Sequence, residues 1–512
     1  MRIATVSLKS AIPLELWGDE MIEAQIFYSK LQAICREMGH NLERTSRSPL
    51  LALDRSYASA ILTEELELAV QKQYDVGHLY ALRDSVATMF DYFSYDLAEG
   101  DIILVADPYS GGTQGQTVTM AAPLFQEGEL VLFPVVRAQM MDFAGEYPGG
   151  YHPEAFEVWQ EGIRVTPIKL YHRGVLQRDV WRFLLANSRA PSLLESDLKA
   201  MVACLRLAEE QIADVLGSYR PEETEAFLKH IFQYSETQVR RLISDLPEVT
   251  FQSKACLKDE KAGEVPIHVK LMKENDSLTI DFSGTGNQVE TPLNSPIAST
   301  KAYAVWPFLT SFENGIDLNE GTLLPFHFNI EEGTIVSPHF PAATAFSGKI
   351  TGHFISEAVV SSLRSGGLKK EIIPSIHGMG PEAVLYPPIG KEREIEPLFL
   401  VPGFPISSSG WGPSPLYGEK LLVSAEELEM HDGFQMVSRE LDNGQGMTVQ
   451  LVNHRADIYA NLIQPVAKNE EYGSIEITGS RTASFHESAL GELLKYGDQI
   501  TFRYPGKGSD ES

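Results

Sequence analysis

Two short apolar runs bracket a glycine-bearing loop, and this arrangement limits the architecture more than any other part of the chain. Asp101 to Ala106 (DIILVA) and Leu130 to Val136 (LVLFPVV) are each bounded by turn residues. Runs of that length read as buried strands, because a strand covered on both faces has no need to alternate apolar with polar residues. Between them lies DPYSGGTQGQT. Glycines there permit positive φ or a close approach of backbone to a ligand. Loops that leave strand ends are common places for a ligand.

Helical periodicity appears before and after this core. Ile26, Leu31, Ile34 and Met38 recur at helical spacing and predict an amphipathic helix over Ile22 to Met38. From Ser192, SLLESDLKAMVACLRLAEEQIADVLGSY predicts a long helix. Ser192 and Glu195 would open it as a capping box, and Leu194, Leu198, Met201, Val202, Leu205, Ile212 and Leu216 share one face. A second helix is expected over Glu222 to Leu242. Past Leu246 the pattern changes: Ile267 to Met272 and Leu278 to Phe282 alternate on either side of KENDS, which predicts a β-hairpin. A helix is expected near Ser356 to Ser365, and the Pro- and Gly-rich stretch from Pro381 to Pro415 is expected to form long loops. The fold class is therefore α+β, a large mixed compound fold with several sheets and a long central helix. We divide it into an N-terminal α/β part with the site loops and long helices (1–245), a β-rich middle part (246–375) and a β- and loop-rich C-terminal part (376–512).

Charge and composition exclude several classes of function. The 512 residues carry 42 Lys and Arg against 70 Asp and Glu, a net charge of −28. Phosphate backbones and anionic membranes are bound by clustered cations, so neither nucleic acid nor a membrane surface is an expected partner. Cys35, Cys204 and Cys256 are widely spaced with no C-x-x-C, which argues against a disulfide framework and an all-cysteine zinc site. They read as buried free thiols in a reducing compartment. The first twenty residues hold no continuous apolar segment, and no run reaches the roughly 18 apolar residues of a membrane span, so a cytoplasmic protein is expected. G-x-x-x-x-G-K-[ST], G-x-G-x-x-G after a strand, H-E-x-x-H and G-x-S-x-G do not occur. ATP binding by a phosphate loop and a standard serine hydrolase triad are therefore not expected in this chain.

Five ordered blocks resemble the hydantoinase B / 5-oxoprolinase family. They are GDIILVADPYSGGTQGQTVTMAAPLF, RAQMMDFAG, PGGYHPEAFEVWQEGIRVTPIKLYHRGVL with LLANSRAP, LTIDFSGTGNQVETPLNSPIASTKAYAV, and IDLNEGTLLPFHFNIEEGTIVSPHFPAA. The resemblance covers roughly residues 20 to 365, and ERTSRSP, LDRSYASA and YGDQITFRYPGKG match more loosely. It implies a hydantoinase B-like fold. It also implies an A-type, ATP-binding partner subunit that activates a carbonyl oxygen as a phosphoryl ester. The B-type chain then completes hydrolysis or carboxylation of a small-molecule carbonyl substrate, in a hetero-oligomer. ATP-Mg would sit on the partner and not on this chain.

The resemblance also implies a divalent metal such as Mn, Zn or Fe, held by His and Asp of G-G-T-H-x-x-D and R-G-H-H-x-D. Here those positions fall on Gln114, Thr117, Gln139 and Met140, and only Asp142 remains. His152 follows ten residues later, so Asp142 and His152, with Gln139 and one of Glu154, Glu157 or Glu161, form a reduced candidate set. The alternative is that Asp142 caps a turn and His152 binds a loop carbonyl. Asp142, His152 and Asp107 are the candidate catalytic residues. Asp107 precedes Pro108 and equally suits a turn start. Gly111, Gly112, Gln114, Gln139, Arg164 and His78 are the candidate substrate-binding residues. Arg164 suits either a carboxylate or phosphate clamp or an ion pair with Glu161, and His78 suits either the cleft or the core. Two readings follow, an active B-type subunit and a degenerate one with a structural or assembly role. A stand-alone, metal-independent hydrolase is a distant third.

Overall fold

The computed structural model describes residues 19–52, 55–248, 250–259, 261, 263–310, 317–365, 382–388, 398–400, 429, 433–442, 446–455, 457–463, 474–486 and 488–504. Helix α1 (Asp19–Thr45) leads through the single turn α2 (Pro49–Ala52) into the first sheet. That sheet contains β1 (Tyr57–Thr63), β2 (Leu68–Gln73), β3 (Ile102–Ala106), β4 (Thr117–Ala121), β5 (Leu124–Gln126), β6 (Glu129–Gln139), β7 (Val165–His172) and β8 (Val175–Leu176). Its order is β2-β1-β6-β4-β3-β7-β8, with β5 beside β6, and every pairing is antiparallel.

Both faces of this antiparallel sheet are covered, which is why β3 lacks a polar face. Ile102, Leu104 and Ala106 point into one apolar cluster, with Phe27, Leu31 and Leu198. Ile103 and Val105 point into another, with Leu82, Val305 and Ile355. Neighbouring side chains of a strand leave opposite faces, so one run of five residues serves two cores. The first cluster is roofed by α1 and by two further long helices, α6 (Pro191–Leu216) and α7 (Pro221–Ser244). The second holds α3 (Ala81–Phe93), α8 (Ile297–Thr310) and α10 (Gly352–Ser365), together with the inner face of a second sheet. That sheet is β9 (Phe251–Asp259), β10 (Gly263–Glu274), β11 (Ser277–Asp281) and β12 (Phe326–Asn329), in the order β12-β11-β10-β9. The core is thus continuous across residue 246. The short helices α4 (Val158–Glu161), α5 (Arg178–Ala186) and α9 (Glu320–Leu323) lie in connections.

The C-terminal part has its own apolar cluster, between residues 383 and 504. Its strands are β13 (Glu382–Tyr386), β14 (Leu398–Leu400), β15 (Phe434–Asp442), β16 (Gly446–Asn453), β17 (Ile458–Ile463), β18 (Ser474–Thr478), β19 (Ala483–Phe485), β20 (Ala489–Leu494) and β21 (Gln499–Tyr504). They form two antiparallel sheets, β14-β13-β17-β20 and β15-β16-β21-β18-β19. Among the described residues, no helix is long and apolar enough to cross a membrane.

Several sequence expectations need correction. The expected helix faces hold, except that Ile26 is exposed and Phe27 lies in the core instead. The inward residues of α1 are Ala24, Phe27, Tyr28, Leu31, Ile34, Cys35, Met38 and Leu42, a broad apolar stripe with Ile26 outside it. Ser192 and Glu195 do not cap α6: Ala190 is its N-cap and Pro191 takes the first helical position, whose missing N–H costs nothing there. The hairpin is present, with Asn275 in the turn at φ 58°. Strands β13 and β14 fall within the stretch expected to be loop, and most of its remainder, like the boundary at 375, lies outside the described residues. Cys256 is only partly buried, unlike Cys35 and Cys204.

Candidate functional site

The pairing of Thr117 with Gln139 places the start of β4 beside the end of β6. The loop entering β4 (107–116) and the loop leaving β6 (140–157) therefore emerge side by side. Gln116 binds them together. Its backbone carbonyl accepts from Met140 N at 2.8 Å, its Oε1 accepts from Phe143 N at 2.7 Å, and its Nε2 donates to the carbonyls of Ala144 and Glu161.

At this junction two amides converge on one phenol. Gln139 Nε2 donates to Tyr151 Oη at 2.7 Å, and Gln114 Nε2 donates to it at 3.3 Å. Gln139 Oε1 in turn accepts from Ser56 Oγ at 2.9 Å. Burial pushes the Tyr151 phenol up to about 12, so it stays protonated at ordinary pH. Lys349 Nζ lies 5.8 Å from the centroid of the Tyr151 ring and pairs with Glu382 at 2.8 Å. Gln114 and Gln139 are thus brought together, with a tyrosine, a lysine and a glutamate that the sequence did not single out. Tyr151 stands beside the singled-out His152, but Lys349 and Glu382 approach from other parts of the chain.

The candidate catalytic residues are placed differently. Asp142 is buried, and both of its oxygens are occupied: Oδ1 by Arg189 Nη1 at 3.0 Å and Gly149 N at 3.3 Å, Oδ2 by Arg189 N at 2.7 Å. His152 turns to other partners. Its Nδ1 accepts from Glu154 N at 3.3 Å, its Nε2 faces Glu146 Oε2 at 3.3 Å, and its ring packs on Tyr147. Burial holds its imidazole below the usual range against the opposing pull of Glu146 and Glu154, which favours the neutral form. Asp107 starts its turn, accepting from Tyr109 N at 3.0 Å and Ser110 Oγ at 2.7 Å. It also takes Arg164, at 2.9 Å, so of the two alternatives for Arg164 the ion pair with Glu161 is not the one formed.

Gly111 and Gly112 approach backbone, not open space. A Cβ on Gly111, whose φ is +77°, would meet the Asp84 carbonyl carbon at 2.3 Å, and one on Gly112 would meet Asp107 O at 2.4 Å. His78 is buried behind the loop in a short 3₁₀ turn, where its Nδ1 accepts from Arg137 Nε at 3.2 Å. Arg137 is fully buried and also reaches Thr113 Oγ1, at 2.9 Å, and the Thr119 hydroxyl. Its hydrogen-bond partners among the described residues are uncharged, and burial pushes the guanidinium down to about 9. It ties the GGT turn to the sheet. Arg137 opens one of the family-like sequence blocks, but nothing in that block shows it to be buried.

The implied metal does not fit these residues. The oxygens of Asp142 are held by Arg189 and backbone amides, Gln139 and Gln114 serve Tyr151, and Met140 is buried apolar bulk. Among the described residues, no three His, Cys, Asp or Glu side chains come together as a ligand set. What the cluster offers is neutral amide and phenol groups beside the Lys349–Glu382 ion pair.

Glu161 joins this loop region to the segment after β12. It is fully buried and accepts from Thr344 N at 2.8 Å and Ala345 N at 2.6 Å. Burial outweighs those amide bonds and pushes its carboxyl up from 4.5 to about 8. A raised folded-state pKa means the folded protein binds the proton more tightly. The resulting stability is complete below pH 4.5 and is lost as pH rises towards 8. Glu161→Gln is expected to remove that part of the slope. Urea titrations of wild type and variant at matched pH values check it, and parallel curves across the window would contradict it.

Comparison with known proteins places the arrangement. The profile of the hydantoinase B/oxoprolinase family matches residues 20–379. The B component of a putative D-/L-hydantoinase from a Pseudomonas species (strain NS671) is 27% identical over 357 residues, 65% of this chain and 60% of that protein. The beta component of the caprolactamase of Pseudomonas jessenii is 32% identical over 233 residues, 46% of this chain and 40% of that protein. The chain therefore matches less than two thirds of the length of these relatives. In fold it is similar to the ATP-dependent caprolactamase of Pseudomonas jessenii, with a TM-score of 0.83 at 21% identity, covering 95% of this chain and 90% of that one. Nucleotide-free acetone carboxylase gives 0.82 at 13% identity, covering 96% and 76%. With its profile matched over most of its length and its fold shared, the chain belongs to the hydantoinase B/oxoprolinase family.

Proposed function

We propose that this chain is the B-type subunit of an ATP-dependent complex that hydrolyses or carboxylates a small carbonyl compound. Its partner is an A-type subunit that binds ATP-Mg and phosphorylates the carbonyl oxygen, and the complex works in the cytoplasm, where ATP is available. Relatives named as the B component of a hydantoinase and the beta component of a caprolactamase support the division of labour. The observation that carries the reading is the convergence of the two site loops on Gln114, Tyr151 and Gln139. Two members of that hydrogen-bonded trio, Gln114 and Gln139, stand at positions where the family pattern puts metal ligands, and Tyr151 joins them. The trio orients the activated compound, beside the Lys349–Glu382 ion pair.

A second reading, a B-type subunit that only scaffolds the complex, draws on one observation: the single retained ligand position, Asp142, is committed to Arg189. Co-expression with a neighbouring A-type gene decides between them. The complex should turn over a lactam, hydantoin or ketone only with ATP. Tyr151→Phe should slow it on the order of a hundredfold, the scale of one lost preorganised donor, with assembly intact. Unchanged turnover in Tyr151→Phe would leave the scaffold reading, and failure to recover any A-type chain would remove both.

A further inference from the structure

A hollow of about 560 Å³ lies against β9, β10 and β11 of the second sheet and takes no part in the chemistry proposed for the site loops. Strand alternation decides what faces it. Ala255, Ile267, Val269, Leu271 and Ile280 enter the core, so Lys254, His268, Lys270 and Asp281 take the opposite, outward face. Lys254 stands across the strands from His268, and Lys270 stands between Gln252 on one side and Asp281 on the other. Lys254 and Lys270 are therefore diagonal neighbours, at roughly 7–8 Å. The turn after β11 walls the hollow at Ser283, and that turn is fastened to β10. His268 N donates to Thr285 Oγ1 at 3.1 Å, and Gly286 N donates to the Pro266 carbonyl at 2.8 Å. The walls are thus fixed by backbone contacts on every side.

The charges on the lining do not cancel. Two ammonium groups and an imidazole face one carboxylate. That carboxylate is already occupied: Asp281 Oδ1 accepts from Ser283 N at 2.9 Å, Ser283 Oγ at 2.6 Å and Asn329 Nδ2 at 2.9 Å. The next acids on this face, Glu264 and Glu274, stand towards the ends of β10, opposite Lys258 and Ser277. Among the described residues, neither Lys254 nor Lys270 is held by an ion pair. That is unusual company in a chain whose 70 acids outnumber its 42 Lys and Arg. Like charges facing one another across strands weaken the pairing, and an anion lodged between them removes the repulsion. Gln252 and Ser283 add neutral donors to the same hollow. Its volume falls within the range of small-ligand sites, roughly 300–1,000 Å³. We infer that this hollow binds a small, doubly charged oxyanion, a dicarboxylate or a phosphate, between the Lys254 and Lys270 ammonium groups. Lysine suits that task, because a point charge on a flexible stem fits either oxyanion without a fixed fork geometry.

Calorimetric titration of the full-length chain with inorganic phosphate and, separately, with succinate tests this, at an ionic strength held constant with sodium chloride. At least one of the two is expected to bind with a Kd below about 1 mM, and the arm that binds identifies the source of the charge. Acetate, with a single charge, should bind at least about tenfold more weakly. Changing Lys254→Gln and Lys270→Gln together, both at exposed strand positions, should weaken the bound anion at least about tenfold. Lys254→Gln alone serves if the double variant does not melt cooperatively, and should weaken it roughly threefold or more. Lys199→Gln, which removes an exposed lysine of α6, is the control and should leave the affinity unchanged. Failure of both anions to bind, acetate bound as tightly, affinity kept in a folded lysine variant, or an equal loss in Lys199→Gln overturns the inference.

Discussion

Gly111→Ala is expected to abolish soluble expression or to cost roughly 4 kcal/mol or more, the range reserved for a named structural failure. The added Cβ would stand 2.3 Å from the Asp84 carbonyl carbon and 2.4 Å from Ser85 N, both in the backbone of α3. No side-chain rotation relieves a clash with backbone. The φ of +77° adds left-handed strain of about 1 kcal/mol. Gly128→Ala is the matched control: its φ is +89°, yet nothing lies within 4 Å of the added methyl. It should show the conformational cost alone. Thermal melts of both variants decide, and a Gly111→Ala melt close to that of Gly128→Ala would refute the packing account of this loop.

Asp142→Ala is expected to lower stability by about 3 kcal/mol. That is the low end for breaking a buried ion pair, chosen because the Arg189 side chain keeps 26% of its exposure and regains water once unpaired. The loss includes the amide bonds from Arg189 N and Gly149 N that close the 140–157 loop. On sequence alone, Asp142→Asn is a clean probe of chemistry, with the fold intact and activity down roughly a hundredfold. The structure changes that expectation. Asparagine presents an NH₂ to donors that need an acceptor, so Asp142→Asn should melt measurably below wild type. Any activity loss then accompanies disorder of the loop. Chemical denaturation of Asp142→Ala, Arg189→Met and the double variant checks this through non-additivity. Additive costs would show that the two residues do not act as a pair.

The sheet core and long helices were legible because burial writes itself into local pattern. β3 reads as an unbroken apolar run since Ile103 and Leu104 each enter a core, though not the same one. The faces of α6 and the β10–β11 hairpin follow from periods of 3.6 and 2. β4 was less legible. Thr117 and Thr119 are buried there, and Thr119 answers Arg137 across the sheet. A buried arginine satisfied by hydroxyls and an imidazole leaves no apolar signal. Start signals also misled at Ser192, where Pro191 claimed the helix start.

Residue identity and order were enough for the family and the mixed α+β class. What each polar group does emerged only from the packed chain, because a side chain's role depends on which partner reaches it first. Arg189, 47 residues away, claims Asp142, and Asp107 claims Arg164 from 57 residues away. Tyr151 gathers Gln114 and Gln139 into one hydrogen-bonded centre. Thr344 and Ala345, more than 180 residues beyond Glu161, turn their amides to a carboxyl that no local pattern marks as buried. Such partners are set by the packing of two cores against one sheet, and that packing is not encoded within any single segment.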